Sequence, residues 1–332
     1  MYIKRHVSFF ILYFMSWRIA LWSLFTGLLA LYTYQYLDWH WVAIPWLPVS
    51  LIGTAVAFYV GFKNNQSYDR NWEARKVWGR IVNFSRSFGA AVRAFAAGKQ
   101  DATLEAEKKI ILHRHIAWLY ALLHALSQRT AWEHEDNASV RQRKYFSKRF
   151  NFNVYEQVLR TYLSEEEQDW IRHKQNAATQ LLDKQSQHIG SLQQRGLLND
   201  FQQIELQRLI TDLYAEQGAS ERIKNTPLPR QYSTSSTIFI LIFTFLIPFG
   251  MISEFAKMGE ELMWLMIPFN LVVSWVFSLM EYVGDYSENP FEGLLNDVPV
   301  NAIIRNIEID LLDMLDEKNL PEKIKPVESV LF

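Results

Sequence analysis

Uncharged apolar stretches alternate with highly charged stretches along the chain. Four stretches near the two ends contain no Asp, Glu, Lys or Arg, and each is about as long as a helix that crosses the hydrocarbon core of a membrane. They form two pairs, each joined by a short connection. The pattern predicts four transmembrane helices, at 19–37, 42–62, 237–253 and 262–280.

A further apolar stretch, at 7–17, lies between Arg5 and Arg18 at the start of the chain. It is similar to the core of a signal peptide, but no small-residue cleavage pattern follows it. Another apolar stretch begins directly after Arg18 instead. We therefore predict an interfacial helix that leads into the first transmembrane helix.

The middle of the chain is charged and contains few Gly and Pro residues, and its apolar residues recur at helical spacings. It therefore predicts a large helical region outside the membrane. The C-terminal part is acidic and contains one amphipathic stretch. The predicted domains are 1–62 (interfacial helix and transmembrane helices 1 and 2), 63–231 (cytosolic helical region), 232–284 (transmembrane helices 3 and 4) and 285–332 (cytosolic C-terminal segment).

The distribution of basic residues predicts the orientation. Residues 63–99, directly after the second span, contain eight basic and two acidic residues, whereas the connections within the span pairs have no basic excess. Basic segments stay on the cytoplasmic side, so both termini and the middle are predicted to be cytoplasmic. The chain has no Cys and no downstream targeting signal, which favours a multi-pass protein of a bacterial inner membrane.

Composition excludes several classes of function. The chain has 34 Lys plus Arg and 35 Asp plus Glu, which is not the basic balance of a nucleic-acid-binding protein. The absence of Cys excludes disulfides, thiolate metal sites and a cysteine nucleophile. Phosphate-binding glycine loops and a nucleophile elbow are also missing from the sequence. We predict no enzymatic activity, no cofactor, no metal site and no nucleic-acid partner.

The second apolar stretch carries the most informative pattern. Thr54, Phe58 and Phe62 are four residues apart and therefore share one helix face, while Gly53 and Gly61 keep neighbouring faces small. Copies of such a helix around an axis would form layers of Phe rings, a constriction that gates by dewetting. An aromatic stripe of this kind is also typical of a helix face that contacts lipid or a neighbouring helix.

Three long motifs resemble the bacterial branch of the bestrophin family. They are GFKNNQSYDRNWEARKVWG at 61–79, SERIKNTPLPRQYS at 220–233 and ENPFEGLLNDVPVNAIIRNIEIDLLDML at 288–315. The chain departs from the family at one position, since Asn71 replaces the first Trp of an Arg-Trp-Trp element. Together with the four spans, the resemblance covers most of the chain.

The resemblance implies an all-α membrane protein that assembles as a homopentamer around one central ion pore. It places Thr54, Phe58 and Phe62 at a narrow membrane neck, although related channels have an aliphatic residue at the position of Thr54. It also places Phe201 at a second, cytosolic aperture. Leu198 or Ile204 would take that position in a shifted register.

Animal bestrophins bind calcium through a run of acidic residues after Asn-Pro-Phe. In this chain Asn289-Pro290-Phe291 is followed by Glu292, Asn296 and Asp297 without an acidic cluster, so we expect a calcium-independent channel.

The sequence does not determine which ion is transported. Animal relatives conduct chloride and bacterial members also pass sodium, so the resemblance implies small monovalent ions, with lipids and other copies of the chain as partners. Two other functions are a membrane scaffold that anchors a cytosolic partner and a small-anion carrier. A carrier would show repeated broken helices, and no such repeat is found.

Overall fold

A computed structural model describes residues 1–7, 9–96, 102–150 and 154–332, and these residues are mainly helical. Within them, extended backbone pairs only as isolated bridges. The α-helices are α1 (Phe9–Gln35), α2 (Trp46–Ala96), α3 (Ala102–Leu126), α4 (Asn137–Phe150), α5 (Tyr155–Tyr162), α6 (Glu165–Arg172), α7 (Ala177–Gln194), α8 (Asp200–Asn225), α9 (Arg230–Phe255), α10 (Met266–Asp285) and α11 (Val300–Met314).

The chain divides into two compact units. We call residues 4–70 and 227–288 the apolar unit, and residues 1–3, 71–226 and 289–332 the bundle unit. Helix α2 belongs to both, since its residues up to Arg70 lie in the apolar unit and those from Asn71 onward lie in the bundle unit.

The apolar unit contains α1, the first part of α2, α9 and α10. Three helical segments of the described chain are long and apolar enough to cross a membrane: His40–Phe95, Arg230–Met258 and Glu260–Asp285. The predicted span at 19–37 lies mostly in α1, a 27-residue helix that is not one of these three segments. The count of four transmembrane helices therefore stays a prediction.

Helix α1 differs from the sequence-based expectation. The predicted interfacial helix at 7–17 and the first span are parts of one continuous helix that begins at Phe9. Arg18 does not interrupt it, because a single Arg is a good helix former and its side chain is exposed. Ser8 lies outside the described residues.

Small residues allow close helix contacts in the apolar unit. A Cβ atom on Gly53 would lie 2.6 Å from the Phe243 ring, so α2 and α9 approach closely there. Between α1 and α10, the Asn270 amide donates a hydrogen bond to the Ser23 carbonyl oxygen at 2.7 Å. The resulting core consists of buried aliphatic and Met side chains, among them Val60, Ile247, Met263 and Met266.

The bundle unit packs around α3, which contacts α5, α7, α8 and α11. Its largest buried side chains are Trp78 and Trp118, both fully buried. The Trp118 indole N–H donates to the Gln217 side chain at 2.9 Å, so the core of this unit is apolar with a few satisfied polar groups.

The segment 131–153 differs from its appearance in the sequence. Its polar, charged residues suggest a peripheral connection, but the structure contains helix α4 there. Glu133 is buried, and His134 and Arg143 are largely buried, because each pairs with a charged side chain from elsewhere in the bundle unit. Residues 151–153 lie outside the described residues, as do residues 97–99 of the basic stretch.

Candidate functional site

The predicted neck residues share one exposed face of α2. Phe58 is 66% exposed and Phe62 is 68% exposed, and Thr54 is exposed on the preceding turn. The Thr54 hydroxyl donates to the Ser50 carbonyl oxygen at 3.0 Å, so its proton is used within the helix. A face with two large exposed aromatic rings requires a lipid, a partner chain or a pore to cover it.

The opposite face of α2 packs inside the apolar unit. Val49, Val56 and Val60 are almost fully buried, and they recur at the same helical spacing as the exposed residues. This division fixes which side of α2 faces outward. The exposed side continues along the helix beyond Phe62 with Asn65 and Asp69, so its chemistry changes there from aromatic to polar.

A buried ion pair holds α2 directly after Phe62. The Lys63 side chain is fully buried, and its Nζ lies 2.6 Å from Glu281 Oε1 and 3.4 Å from Asp285 Oδ1. The Ser236 hydroxyl donates to the other Glu281 oxygen at 2.5 Å. These contacts join α2, α9 and α10, and they restrain rotation of α2 about its own axis.

Motif residues around this ion pair also make contacts between helices. The Asn64 amide donates to the Met280 carbonyl oxygen at 2.9 Å, and a Cβ atom on Gly284 would lie 1.9 Å from Asn64 Oδ1. Arg70 Nε donates to the Glu288 carbonyl oxygen at 2.9 Å. Residues 61–79, which carry the strongest resemblance, therefore include positions that bind α2 to the rest of the apolar unit.

The Lys63 site was not predicted from the sequence. The available signal was that Lys63 and Glu281 are each the first charged residue after an apolar stretch. Opposite charges at corresponding ends of two predicted spans are candidates for pairing, since an isolated charge there would be costly.

Phe201 lies in the bundle unit, near the start of α8. It is 86% exposed, and Asn199 caps the helix through a reciprocal capping box with Gln202. Of the two alternative positions, Leu198 is buried in the core whereas Ile204 is exposed. Phe201 and Ile204 therefore provide the exposed apolar surface at this end of α8.

Charged residues follow on the same side of α8. Arg208 forms hydrogen bonds with Glu205, 2.6 Å between the closest atoms, and with Asp212. The Arg208 guanidinium lowers the pKa of Glu205, so the carboxylate stays ionised in mildly acidic solution.

The acidic residues after Asn-Pro-Phe are occupied by donors from the chain itself. Asp297 accepts hydrogen bonds from the backbone N–H groups of Phe291, Gly293 and Val298 at 2.7–2.8 Å. Glu292 is bound by His134 and by the Arg143 guanidinium. Burial raises the pKa of the Asp297 carboxyl.

These residues do not fit a calcium ion. Calcium requires six to eight oxygen ligands, but both carboxylates already accept several N–H groups. No group of three or more His, Asp or Glu side chains in the described part of the chain could hold a metal ion. His134 and Arg143 could not be recognised from the sequence as partners of Glu292, because Glu292 is far away along the chain.

Comparison with known proteins identifies the family. Residues 6–313 match the sequence model of the bacterial and fungal bestrophin proteins. The chain belongs to the bestrophin family. With its long apolar helices, this bestrophin is a membrane protein.

Curated relatives of this bestrophin cover most of its length. The voltage-dependent anion channel-forming protein YneE of Escherichia coli (strain K12) is 27% identical over 84% of this chain and 80% of its own. The voltage-dependent anion channel-forming protein RSc3414 of Ralstonia nicotianae is 28% identical over 86% of this chain and 83% of its own.

Solved structures are similar to this bestrophin in fold. A crystal structure of a bacterial bestrophin homologue from Klebsiella pneumoniae is 23% identical and has a TM-score of 0.74, covering 91% of this chain and 98% of its own. A variant of that homologue with one Trp replaced by Ala gives a TM-score of 0.76 at 23% identity, with coverages of 94% and 99%. The helical architecture is therefore that of the family.

Proposed function

We propose that this protein is a homopentameric channel of the inner membrane that passes small monovalent anions through a hydrophobic neck. The exposed phenylalanine face of α2 carries the proposal. Phe58 and Phe62 protrude from the one side of α2 that the apolar unit leaves uncovered, directly before the Lys63 anchor.

The neck follows from placing five copies of this face around one axis. Two layers of Phe rings would surround the pore, with Thr54 one turn before them. Rings of this kind exclude water unless the pore widens, which gives a gate without moving charged groups. Because the Thr54 hydroxyl donates to the Ser50 carbonyl oxygen, this layer presents a methyl group and an acceptor oxygen rather than a free donor.

The exposed faces of the other apolar helices suit lipid better. On α9 the exposed side chains include Ile238, Leu241 and Ile242, and on α10 they include Phe269 and Val272. These faces are continuous hydrocarbon surfaces, as expected for contact with acyl chains.

Anions are favoured over cations for two reasons. The curated relatives are named voltage-dependent anion channel-forming proteins. Phe rings also present their positive edges to anions that approach in the ring plane.

We further propose that the apolar unit lies in the membrane and that the bundle unit and both termini are cytoplasmic. In the assembly, Phe201 would form the cytosolic aperture, with Ile204 beside it. The charged pairs further along α8 would keep the surface around this aperture hydrated.

Planar-bilayer recording of the purified protein under asymmetric NaCl tests the function, and light scattering in detergent tests the pentamer. A reversal potential close to the chloride equilibrium potential is expected. A reversal potential close to that of sodium, or silence from verified pentamers over a wide voltage range, would contradict the proposal.

A further inference from the structure

The bundle unit contains a cavity of about 210 Å³ at the end of α3, between the loop at 291–298 and the start of α11. Its walls are mainly apolar. Leu126, Phe291, Val298, Val300 and Phe332 line it, and each of these side chains is more than nine-tenths buried.

The size of the cavity limits what it can hold. A dry apolar cavity of about 150 Å³ binds benzene, whereas pockets for drug-sized ligands begin at about 300 Å³. A volume between these values suits one substituted ring or one short branched chain. Wall atoms next to unfilled space lose their dispersion contacts, so a ligand of this size would restore them.

One polar group in the cavity wall lacks a partner. Asn301, the second residue of α11, lines the cavity and is 7% exposed. Within the described part of the chain, its side-chain amide makes no hydrogen bond. Because this amide is open to the cavity, and because Asn can both donate and accept, a ligand with a primary amide would complement it.

The charges at the cavity are already compensated. Arg143 lines the wall, but its guanidinium binds the Glu292 carboxylate and the His134 carbonyl oxygen. The Asp297 carboxylate accepts three backbone N–H groups. A charged ligand would lose its hydration here without finding an unpaired countercharge, so the site favours a neutral molecule.

We propose that this cavity binds a small neutral amphipathic molecule, whose ring or branched chain contacts the apolar walls and whose amide group binds Asn301. The ligand would contact α3, α11 and the loop at 291–298 together, and it would stabilise the folded bundle unit by mass action. The proposal does not depend on the channel function.

Benzamide is the probe for the first test, with calorimetry and thermal unfolding of the purified full-length protein as readouts. Saturable binding and a rise in the unfolding temperature are expected. Asn301→Leu keeps the side-chain size but removes the amide, so it should weaken benzamide binding about fivefold to tenfold, the effect of one net hydrogen bond. Toluene, which lacks the amide, should bind the wild type and this variant equally.

Leu123→Trp provides the second test, because Leu123 lines the cavity and is only half-buried. The added ring should fill the cavity and remove binding of both probes. A crystal of the wild-type protein soaked with 4-bromobenzamide should show the bromine signal inside the cavity. This experiment does not depend on whether a variant folds. The proposal is overturned if benzamide does not bind saturably to the wild type. It is also overturned if both variants bind benzamide as tightly as the wild type, or if the bromine signal lies only outside the cavity.

Discussion

The ammonium group of Lys63 lies 2.6 Å from the Glu281 carboxylate, and this contact joins α2 to α10 directly behind the exposed face of Phe62. The Lys63 side chain is fully buried and that of Glu281 is 12% exposed. Such a pair fixes geometry more than it adds stability, because desolvation offsets much of the attraction. We infer that it sets the direction in which Phe58 and Phe62 point.

Removing one partner should therefore destabilise the apolar unit. Lys63→Met leaves the Glu281 carboxylate buried without its ammonium partner, which typically costs about 3–5 kcal/mol of unfolding free energy. The double variant Lys63→Met with Glu281→Met should recover most of this loss. Unfolding in mixed micelles with increasing SDS measures both effects.

Lys257→Met is the matched control for this experiment. Lys257 pairs with Glu254 at 2.8 Å, but both side chains are exposed. An exposed pair of this kind contributes about 0–1 kcal/mol. Equal losses in Lys63→Met and Lys257→Met would show that the buried pair has no special role.

Gly53 should tolerate no side chain. A Cβ atom there would lie 2.6 Å from the Phe243 ring, which itself packs against Phe277 with ring centroids 4.6 Å apart. Gly53→Ala should lower the unfolding free energy by about 1–3 kcal/mol, because α2 and α9 must separate.

Gly61→Ala serves as the control on the same helix. No atom lies within 4 Å of a Cβ at Gly61, so the substitution should gain about 0.5–1 kcal/mol from higher helix propensity. If both Ala variants unfolded alike, the close α2–α9 contact would be refuted.

Acid should destabilise the bundle unit through His115. This side chain is buried between the Phe88 and Trp118 rings, and burial lowers its pKa to about 3. Between pH 6.5 and about pH 3 the unfolded state binds a proton that the folded state does not. Stability therefore rises with pH in this window, by about 1.4 kcal/mol per pH unit.

His115→Phe should flatten this slope. The variant loses the hydrogen bond to Ser85, which shifts its stability by a constant amount, but it cannot take up the proton. Urea unfolding between pH 4.5 and pH 8 compares the two proteins. If the unfolding free energies of wild type and variant changed in parallel with pH, His115 would not be the source of the pH dependence.

Calcium should have no effect on this protein. Because Glu292 and Asp297 already accept N–H donors, neither addition of millimolar CaCl₂ nor EGTA treatment should shift the unfolding temperature or the conductance. A calcium-dependent rise in either quantity that disappears in Glu292→Gln would show that the loop at 291–298 does bind the ion.

Much of the fold was accessible from the sequence because it depends on local patterns. The absence of charge in 42–62 predicts a span, and four-residue spacing predicts that Phe58 and Phe62 share a face; the structure shows this face to be exposed. The uninterrupted length of α2 was not apparent. Its 51 residues run past Lys63, because charged residues are good helix formers and no proline interrupts them after the first turn.

The polar contacts of the bundle unit could not be predicted from one sequence. Lys224 pairs with Glu133 across 91 residues, and His134 pairs with Glu292 across 158 residues. Each of these residues alone is typical of a solvated helix or loop. Only the packing of distant helices brings the charges together and excludes water from them.

The most direct test of the proposed pore is the single-channel behaviour of the double variant Phe58→Ala with Phe62→Ala in verified pentamers. Removing both ring layers should hydrate the neck and raise the open probability, whereas Phe25→Ala with Phe269→Ala should leave it unchanged, because these rings are also exposed but lie on α1 and α10. A neck formed by α2 therefore gives more current in the first variant only. Wild-type currents from both variants would contradict a pore lined by α2.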